Sequence, residues 1–123
     1  MKLKLILVLI ISLSIFSRFY RFPELFHWTL DQDYWAYLPF NIATAYHFQL
    51  IGGHIAGTGL YSGPSFIYLM AIPAKIFSGN PLGFGYTVAA VGVLGTILVY
   101  RIGRDMFGKT AGIFSAIIHS GSF

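Results

Sequence analysis

Carboxylates gather in one short part of this sequence, directly after its first apolar run. Of four acidic residues, three lie close together in the chain: Glu24, Asp31 and Asp33. A carboxylate beside hydrocarbon is costly to keep ionised unless it is paired, so acids in such a place often belong to functional sites. The alternative is that they are solvated loop acids that balance the charge of Arg18 and Arg21.

The two aspartates and Gln32 between them also form a D-x-D pattern. Such a pattern can hold Mg²⁺ or Mn²⁺ against a diphosphate, because these cations prefer hard oxygen ligands. A pattern of three residues arises by chance too often to indicate a metal site by itself. His27, His47 and His54 match no zinc spacing, and the sequence has no cysteine. We therefore expect no resident metal and no other cofactor, with a divalent cation as the disfavoured alternative.

Glycine and aromatic residues offer two further patterns. The segment 57–64 is rich in glycine but follows no predicted strand and lacks the G-x-G-x-x-G spacing, so we expect a mobile loop rather than a dinucleotide site. Aromatic side chains near the acids are typical of a membrane-interface belt, with stacking on a sugar as the alternative. They are Trp28, Tyr34, Trp35, Tyr37 and Tyr46.

The composition excludes an ordinary soluble domain. Of 123 residues, 56% are hydrophobic and 10% are charged, whereas a soluble domain has roughly 25% charged residues. A small globule cannot bury an apolar surplus of this size. The net charge of +4 comes from basic residues scattered singly, so we expect no nucleic-acid partner. The composition therefore predicts a chain that lies in the lipid bilayer.

The first apolar run predicts a membrane span over about residues 3–21. Lys4 and Arg18 can extend it if both side chains reach the interfaces. A cleaved signal peptide is the alternative, but no A-x-A cleavage site follows the run.

A second span is predicted over residues 82–100, where Arg101 and Arg104 close an uncharged stretch. Its small residues form one helix face, which favours close approach of another helix in lipid. An inner loop then covers 101–109, and the start of a third span covers 110–123.

Between these spans, residues 22–81 predict an outer loop with short helices in the interface. Proline and glycine interrupt this region, which disfavours continuous spanning helices. The expected helices are 38–49 and 64–77, the second kinked at Pro73. The segment Ser78-Gly79-Asn80-Pro81 predicts a turn into the next span.

Basic residues at the span ends set the expected orientation. More of them flank the predicted inner segments than the outer region, so the N-terminus is expected to be cytoplasmic. Together these features predict an all-α polytopic membrane protein.

Five segments occur in a recognisable order along nearly the whole chain. They are Arg18–Arg21, Leu30–Asp33, Ser62–Leu69, Asn80–Gly83 and Tyr100–Gly108. In this order they resemble the N-terminus of the GT-C glycosyltransferases. The resemblance is closest to the bacterial and archaeal branch related to protein O-mannosyltransferases and lipid A aminoarabinose transferases.

The resemblance implies a fragment of a longer, multi-pass enzyme in the plasma (inner) membrane of a prokaryote. Such enzymes move a sugar from a polyprenyl-phosphate donor to a hydroxyl of a glycan, lipid or protein acceptor on the outer face. An acidic pair in the first outer loop, usually Asp-Glu, supplies their general base. By position Asp31 is the implied base, Gln32 replaces the glutamate, and Asp33 can share the catalytic role.

Many relatives hold the donor phosphate with the lysine of a Lys-Pro-Pro-Leu stretch. The corresponding residues here, 62–65, read Ser-Gly-Pro-Ser. Arg18, Arg21, Lys75 or a residue beyond Phe123 would then have to meet the phosphate. The other candidates for substrate binding are Gln32, His54 and Tyr34.

Two other classes stay open at this point. A transporter fragment would place its helix breaks near the bilayer midplane and repeat them in a second half. A non-catalytic assembly subunit would use its small-residue face for packing and would tolerate replacement of both aspartates.

Overall fold

A computed structural model describes residues 2–45, 48–55 and 58–122, and these ranges are mostly helical. The helices are α1 (Lys2–Phe19), α2 (Phe22–Leu25), α3 (Leu30–Ala45), α4 (Ser65–Ile76), α5 (Pro81–Phe107) and α6 (Lys109–Gly121). Two short strands, β1 (His54–Ile55) and β2 (Leu60–Tyr61), complete the elements.

The chain divides into two compact units, each with its own packing. The three-helix unit comprises Met1–Leu25 and Val88–Phe123, and the hairpin unit comprises Phe26–Thr87. Helix α5 begins in the hairpin unit and ends in the three-helix unit.

Hydroxyl side chains link the helices of the three-helix unit. The Oγ of Ser14 on α1 lies 2.8 Å from the Oγ1 of Thr96 on α5, and both residues are fully buried. The same Thr96 oxygen lies 3.0 Å from Nδ1 of His119 on α6. Ser17 on α1 donates to the carbonyl of Ser120 on α6 at 2.7 Å. Such polar bonds between helices are a common means of association in an apolar solvent.

Helices α5 and α6 form a tight antiparallel pair. Gly108 separates them with φ 93°, a left-handed conformation that glycine adopts without strain. Beyond this turn, Gly112 lies directly against the α5 backbone, because a Cβ there would come within 2.7 Å of the Tyr100 carbonyl oxygen. Ile10, Tyr100 and Ala116 bring all three helices into one small core.

In the hairpin unit, α3 packs against α4 and the strands pair beside them. Met70, Ala74 and Phe84 form the buried centre. The strands are antiparallel, with His54 opposite Tyr61 and Ile55 opposite Leu60. The described ranges are mostly helical, as expected, and this pair of two-residue strands is a feature that the sequence did not predict; β2 lies within the expected loop 57–64. Residue 57 lies outside the described ranges.

A helix is present where the second one was predicted, and the predicted turn follows it. Helix α4 covers Ser65–Ile76, with Pro64 before it, Pro73 inside it and Phe77 after it. Ser78 and Gly79 follow with φ of 51° and 77°, and the Oδ1 of Asn80 accepts the N–H of Leu82 at 2.9 Å.

The predicted helix 38–49 has the wrong boundaries. Helix α3 begins eight residues earlier, at Leu30, and is described to Ala45. Proline at position 39 lacks the N–H that would bond the carbonyl four residues before it. The helix nevertheless continues through Pro39, whose ring is buried.

The segment predicted as the inner loop, 101–109, is mostly helical, because α5 continues to Phe107 and a single residue separates it from α6. Within the described ranges, α5 is the one helix that is both long and apolar enough to cross a membrane. Helix α1 carries Lys2, Lys4 and Arg18, and α6 has 13 residues.

Candidate functional site

The acidic segment forms the first turn of α3 and the cap before it. Thr29 is the cap residue: its carbonyl accepts the N–H groups of Gln32 and Asp33 at 3.0 and 3.2 Å. In return the Oε1 of Gln32 accepts the N–H of Thr29 at 2.7 Å. The bond to Gln32 is one half of the capping-box pattern T-x-x-Q and satisfies the N–H of the cap residue, whereas the Thr29 carbonyl accepts the first bonds of the helix as at any helix start. The amide of Gln32 therefore has a structural task in helix initiation.

Asp33 is engaged by a neighbouring aromatic residue. Its Oδ1 accepts a short hydrogen bond from the indole Nε1–H of Trp28. The Trp28 ring lies 5.9 Å from the ring centres of both Phe26 and Phe84, and Phe84 belongs to the buried centre of the unit. Asp33 thus ties the start of α3 to the aromatic packing of the hairpin unit.

Asp31 differs from Gln32 and Asp33 in having no such contact within the described ranges. It is exposed, and it makes no hydrogen bond or ion pair with any residue in the ranges that the structure describes. It lies in the first turn of α3, where the helix dipole favours a negative charge. Its carboxylate is therefore available to a substrate.

An open cavity of about 570 Å³ lies beside this carboxylate. Its lining consists of Trp28, Thr29, Leu30, Asp31 and Asp33. Ligand cavities commonly have volumes of about 300–1,000 Å³ and combine apolar walls with a few polar groups. The cavity beside Asp31 has a volume in this range and is wide open to solvent, and two of its five lining residues are apolar.

The structure brings Tyr34 and His54 together, and the contact involves the backbone N–H of His54 rather than its imidazole ring. The Tyr34 hydroxyl accepts the N–H of His54 at 3.1 Å, and the His54 ring packs edge-on against Tyr61 at 5.3 Å. The next residue, Trp35, lies so close to Gly53 that a Cβ there would come within 2.6 Å of the indole. These contacts attach the β-hairpin to α3.

The predicted phosphate-binding cations occupy different positions. Lys75 lies in the last turn of α4, in the hairpin unit with Asp31, and is exposed. Arg21 belongs to the three-helix unit and pairs with Glu24, with both side chains 59% exposed. Glu24 is therefore an exposed acid that balances the charge of Arg21, as the alternative interpretation of the acids expected.

Arg18 is held inside the three-helix unit by five hydrogen bonds. Its guanidinium donates to the Oγ of Ser14 at 2.7 Å and to its carbonyl at 3.4 Å. It also donates to three carbonyls at the end of α6, those of His119, Ser120 and Ser122, at 2.9 to 3.2 Å. A cation at a helix C-terminus is stabilised by the orphan carbonyls and the helix dipole.

Sequence reasoning missed this polar network. The signal available was the recurrence of serine, threonine and histidine within otherwise apolar runs. Such residues in a membrane helix tend to face another helix.

Within the described ranges, no group of three or more His, Cys, Asp or Glu side chains is placed to hold a metal ion. His27 is exposed, and Tyr46 and His47 lie outside these ranges.

Helix α5 is one candidate membrane span in a mostly helical structure. Residues 61–123, half of the chain, match the family described as dolichyl-phosphate-mannose-protein mannosyltransferase, and the chain belongs to this family. The resemblance to the GT-C glycosyltransferases is thereby confirmed, and the family indicates a membrane glycosyltransferase. The matched residues include Lys75 but not Asp31 or Asp33. Comparisons with curated proteins and with solved structures gave no match.

Proposed function

We propose that this chain is part of a glycosyltransferase that moves a sugar from a polyprenyl-phosphate donor to an acceptor hydroxyl. The reaction takes place on the outer face of a prokaryotic plasma membrane, and Asp31 is its general base. Family membership supports the transferase class and a lipid-linked donor.

One observation carries the assignment of the base. Of the three polar residues in the first turn of α3, Gln32 bonds the cap and Asp33 bonds Trp28. Only Asp31 combines a position on the cavity with a carboxylate that has no partner among the described residues. A general base must reach the proton that it removes, which requires such an unoccupied oxygen.

The proposed chemistry needs few groups. Asp31 takes the proton of the acceptor hydroxyl, and the acceptor oxygen forms a bond to the anomeric carbon of the donor sugar. The bond from that carbon to the phosphate oxygen breaks, and the polyprenyl phosphate leaves with the electron pair. Orientation of the acceptor, removal of its proton and neutralisation of the phosphate are the contributions required of the protein.

Lys75 is the proposed partner of the departing phosphate. It is the one of the three predicted cations that lies in the same unit as Asp31 and is exposed. We expect Lys75→Gln to raise the KM for the donor and Lys75→Arg to keep it near the wild-type value, because arginine retains the charge. An unchanged donor KM in Lys75→Gln would exclude this role.

Helix directions in the three-helix unit support the expected topology. Residues near the ends of α1 and α6 meet, since Ser17 bonds Ser120, and α5 is antiparallel to α6. Helices α1 and α6 therefore run in the same direction, as two outward crossings separated by one inward crossing would require. Helix directions alone fit either orientation, and we propose an N-terminus in the cytoplasm because more basic residues flank the inner segments than the outer region.

The test compares Asp31→Asn with Asp33→Asn in the full-length protein. The asparagine at 31 keeps the shape of the side chain but cannot accept a proton, so sugar transfer should fall about a hundredfold or more. At 33 the asparagine still offers an oxygen to the Trp28 indole, so transfer should stay within a few-fold of wild type. Donor binding and membrane insertion should be unchanged in both.

Either of two results would contradict the assignment. Full activity of Asp31→Asn would show that this cavity does not contain the base. Loss of activity in both variants, restored by added Mn²⁺, would favour a metal bound by the D-x-D pattern instead.

A further inference from the structure

The cavity beside Asp31 has one large wall that general-base chemistry does not use. Trp28 is half-buried and is held on two sides, by the carboxylate of Asp33 at its nitrogen and by aromatic packing against Phe84. A side chain held in this way presents a rigid ring to whatever occupies the cavity.

The lining also limits what that occupant can be. Two carboxylates and no lysine or arginine line the cavity, so an anion such as a phosphate would be repelled. The polar groups are chiefly hydrogen-bond acceptors, and the apolar groups are Trp28 and Leu30. A neutral molecule with several hydroxyl donors and an apolar face fits both parts of the lining.

A sugar ring has these properties. Its hydroxyls can donate to carboxylate oxygens, while its C–H face packs against an aromatic ring. We propose that the cavity binds a sugar ring of a carbohydrate acceptor, that Trp28 is its aromatic wall, and that Asp33 is a positioning residue that holds the indole. The assignment of this sugar as the acceptor rests on the proposed function.

Labelling with 5-fluorotryptophan tests the binding part on the wild-type side chains, with one variant used only to assign the signals. The chain has two tryptophans, Trp28 and Trp35, and Trp28→Phe assigns their ¹⁹F signals. The probes are methyl α-mannoside, methyl α-glucoside and methyl α-galactoside, with sorbitol as an open-chain control. At least one glycoside should shift the Trp28 signal in a saturable way, while sorbitol has no effect and the Trp35 signal stays in place.

Variants of Asp33 test the positioning part. Asp33→Ala removes the acceptor of the indole N–H, so the KM for a glycan acceptor should rise about tenfold while kcat changes little. Asp33→Asn keeps an oxygen and should recover most of the loss. The ¹⁹F signal of Trp28 should broaden or move in Asp33→Ala and return in Asp33→Asn, which a general loss of stability would not produce.

Several outcomes would overturn the proposal. They are an unmoved Trp28 signal with every glycoside, a shift caused by Mg²⁺ alone, or an acceptor KM that Asp33→Ala leaves unchanged. The same experiments distinguish a failure of the proposed function from a failure of the sugar subsite. If Asp31→Asn retains transfer while glycosides still shift Trp28, the sugar subsite stands and the base assignment is wrong. If Asp31→Asn is inactive but no glycoside shifts Trp28, the base assignment stands and the subsite is wrong.

Discussion

A single methyl group at Gly112 should separate the two helices that meet at the Gly108 turn. An alanine Cβ there would lie 2.7 Å from the carbonyl oxygen of Tyr100 and 2.8 Å from the nitrogen of Arg104. Both atoms belong to the α5 backbone, so no side-chain rotation can relieve the overlap. The helices must instead move apart by about 0.7 Å, and gaps of ~0.5–1 Å remove a quarter to a half of the dispersion attraction.

The expected size of this effect follows from two opposing contributions. Overpacking costs about 1–3 kcal/mol, and the better helix propensity of alanine offsets up to about 1 kcal/mol. We therefore expect Gly112→Ala to lower the free energy of unfolding by about 1–2 kcal/mol. Reversible unfolding of the full-length protein in mixed micelles, followed by circular dichroism, measures it.

Gly121→Ala is a matched control on the same helix. A Cβ at Gly121 meets no atom within 4 Å, so this variant should be as stable as wild type or more stable by up to ~1 kcal/mol. If Gly112→Ala and Gly121→Ala are equally stable, α5 and α6 do not pack as described.

Three further substitutions test particular contacts. Arg18→Ala should lower the free energy of unfolding by about 3 kcal/mol, because carbonyls at the end of α6 lose their charged donor; an unchanged stability in the same micelle assay would contradict this. Gln32→Ala should speed hydrogen exchange of the Thr29 amide and cost about 1 kcal/mol while transfer stays within a few-fold, whereas complete loss of transfer would make Gln32 a substrate ligand. Tyr68→Phe should speed exchange of the Gln49 amide, which donates to the tyrosine hydroxyl at 3.0 Å, and equal exchange would exclude that bond.

Local sequence signals predicted one part of the hairpin unit well. Proline at 64 and the turn residues 78–81 set the limits of α4, because each restricts its own backbone whatever surrounds it. The same reasoning failed at Pro39, where the buried ring and the contacts of α3 with α4 outweigh the lost hydrogen bond.

The start of α3 could have been found from the sequence. Thr29-Leu30-Asp31-Gln32 is a T-x-x-Q pattern before a helix-forming run, and the structure uses half of it in the bond from the Thr29 N–H to Gln32.

The candidate site was only partly predictable. The acids were identified by their type and position, but their separate tasks depend on tertiary contacts that no spacing reveals. The bond from Trp28 to Asp33 and the packing of the indole against the buried Phe84 are visible only in the three-dimensional structure. The same holds for Arg18, whose partners on α6 lie about a hundred residues further along the chain.

Chemical rescue of Asp31→Ala tests the central claim most directly. Alanine opens a space at the proposed base that a small carboxylate can enter, so added formate should restore sugar transfer in proportion to its concentration. The same formate should not restore Asp31→Asn, because the amide fills the space. Transfer by Asp31→Ala without formate, or rescue confined to Asp33→Ala, would contradict the assignment of Asp31 as the general base.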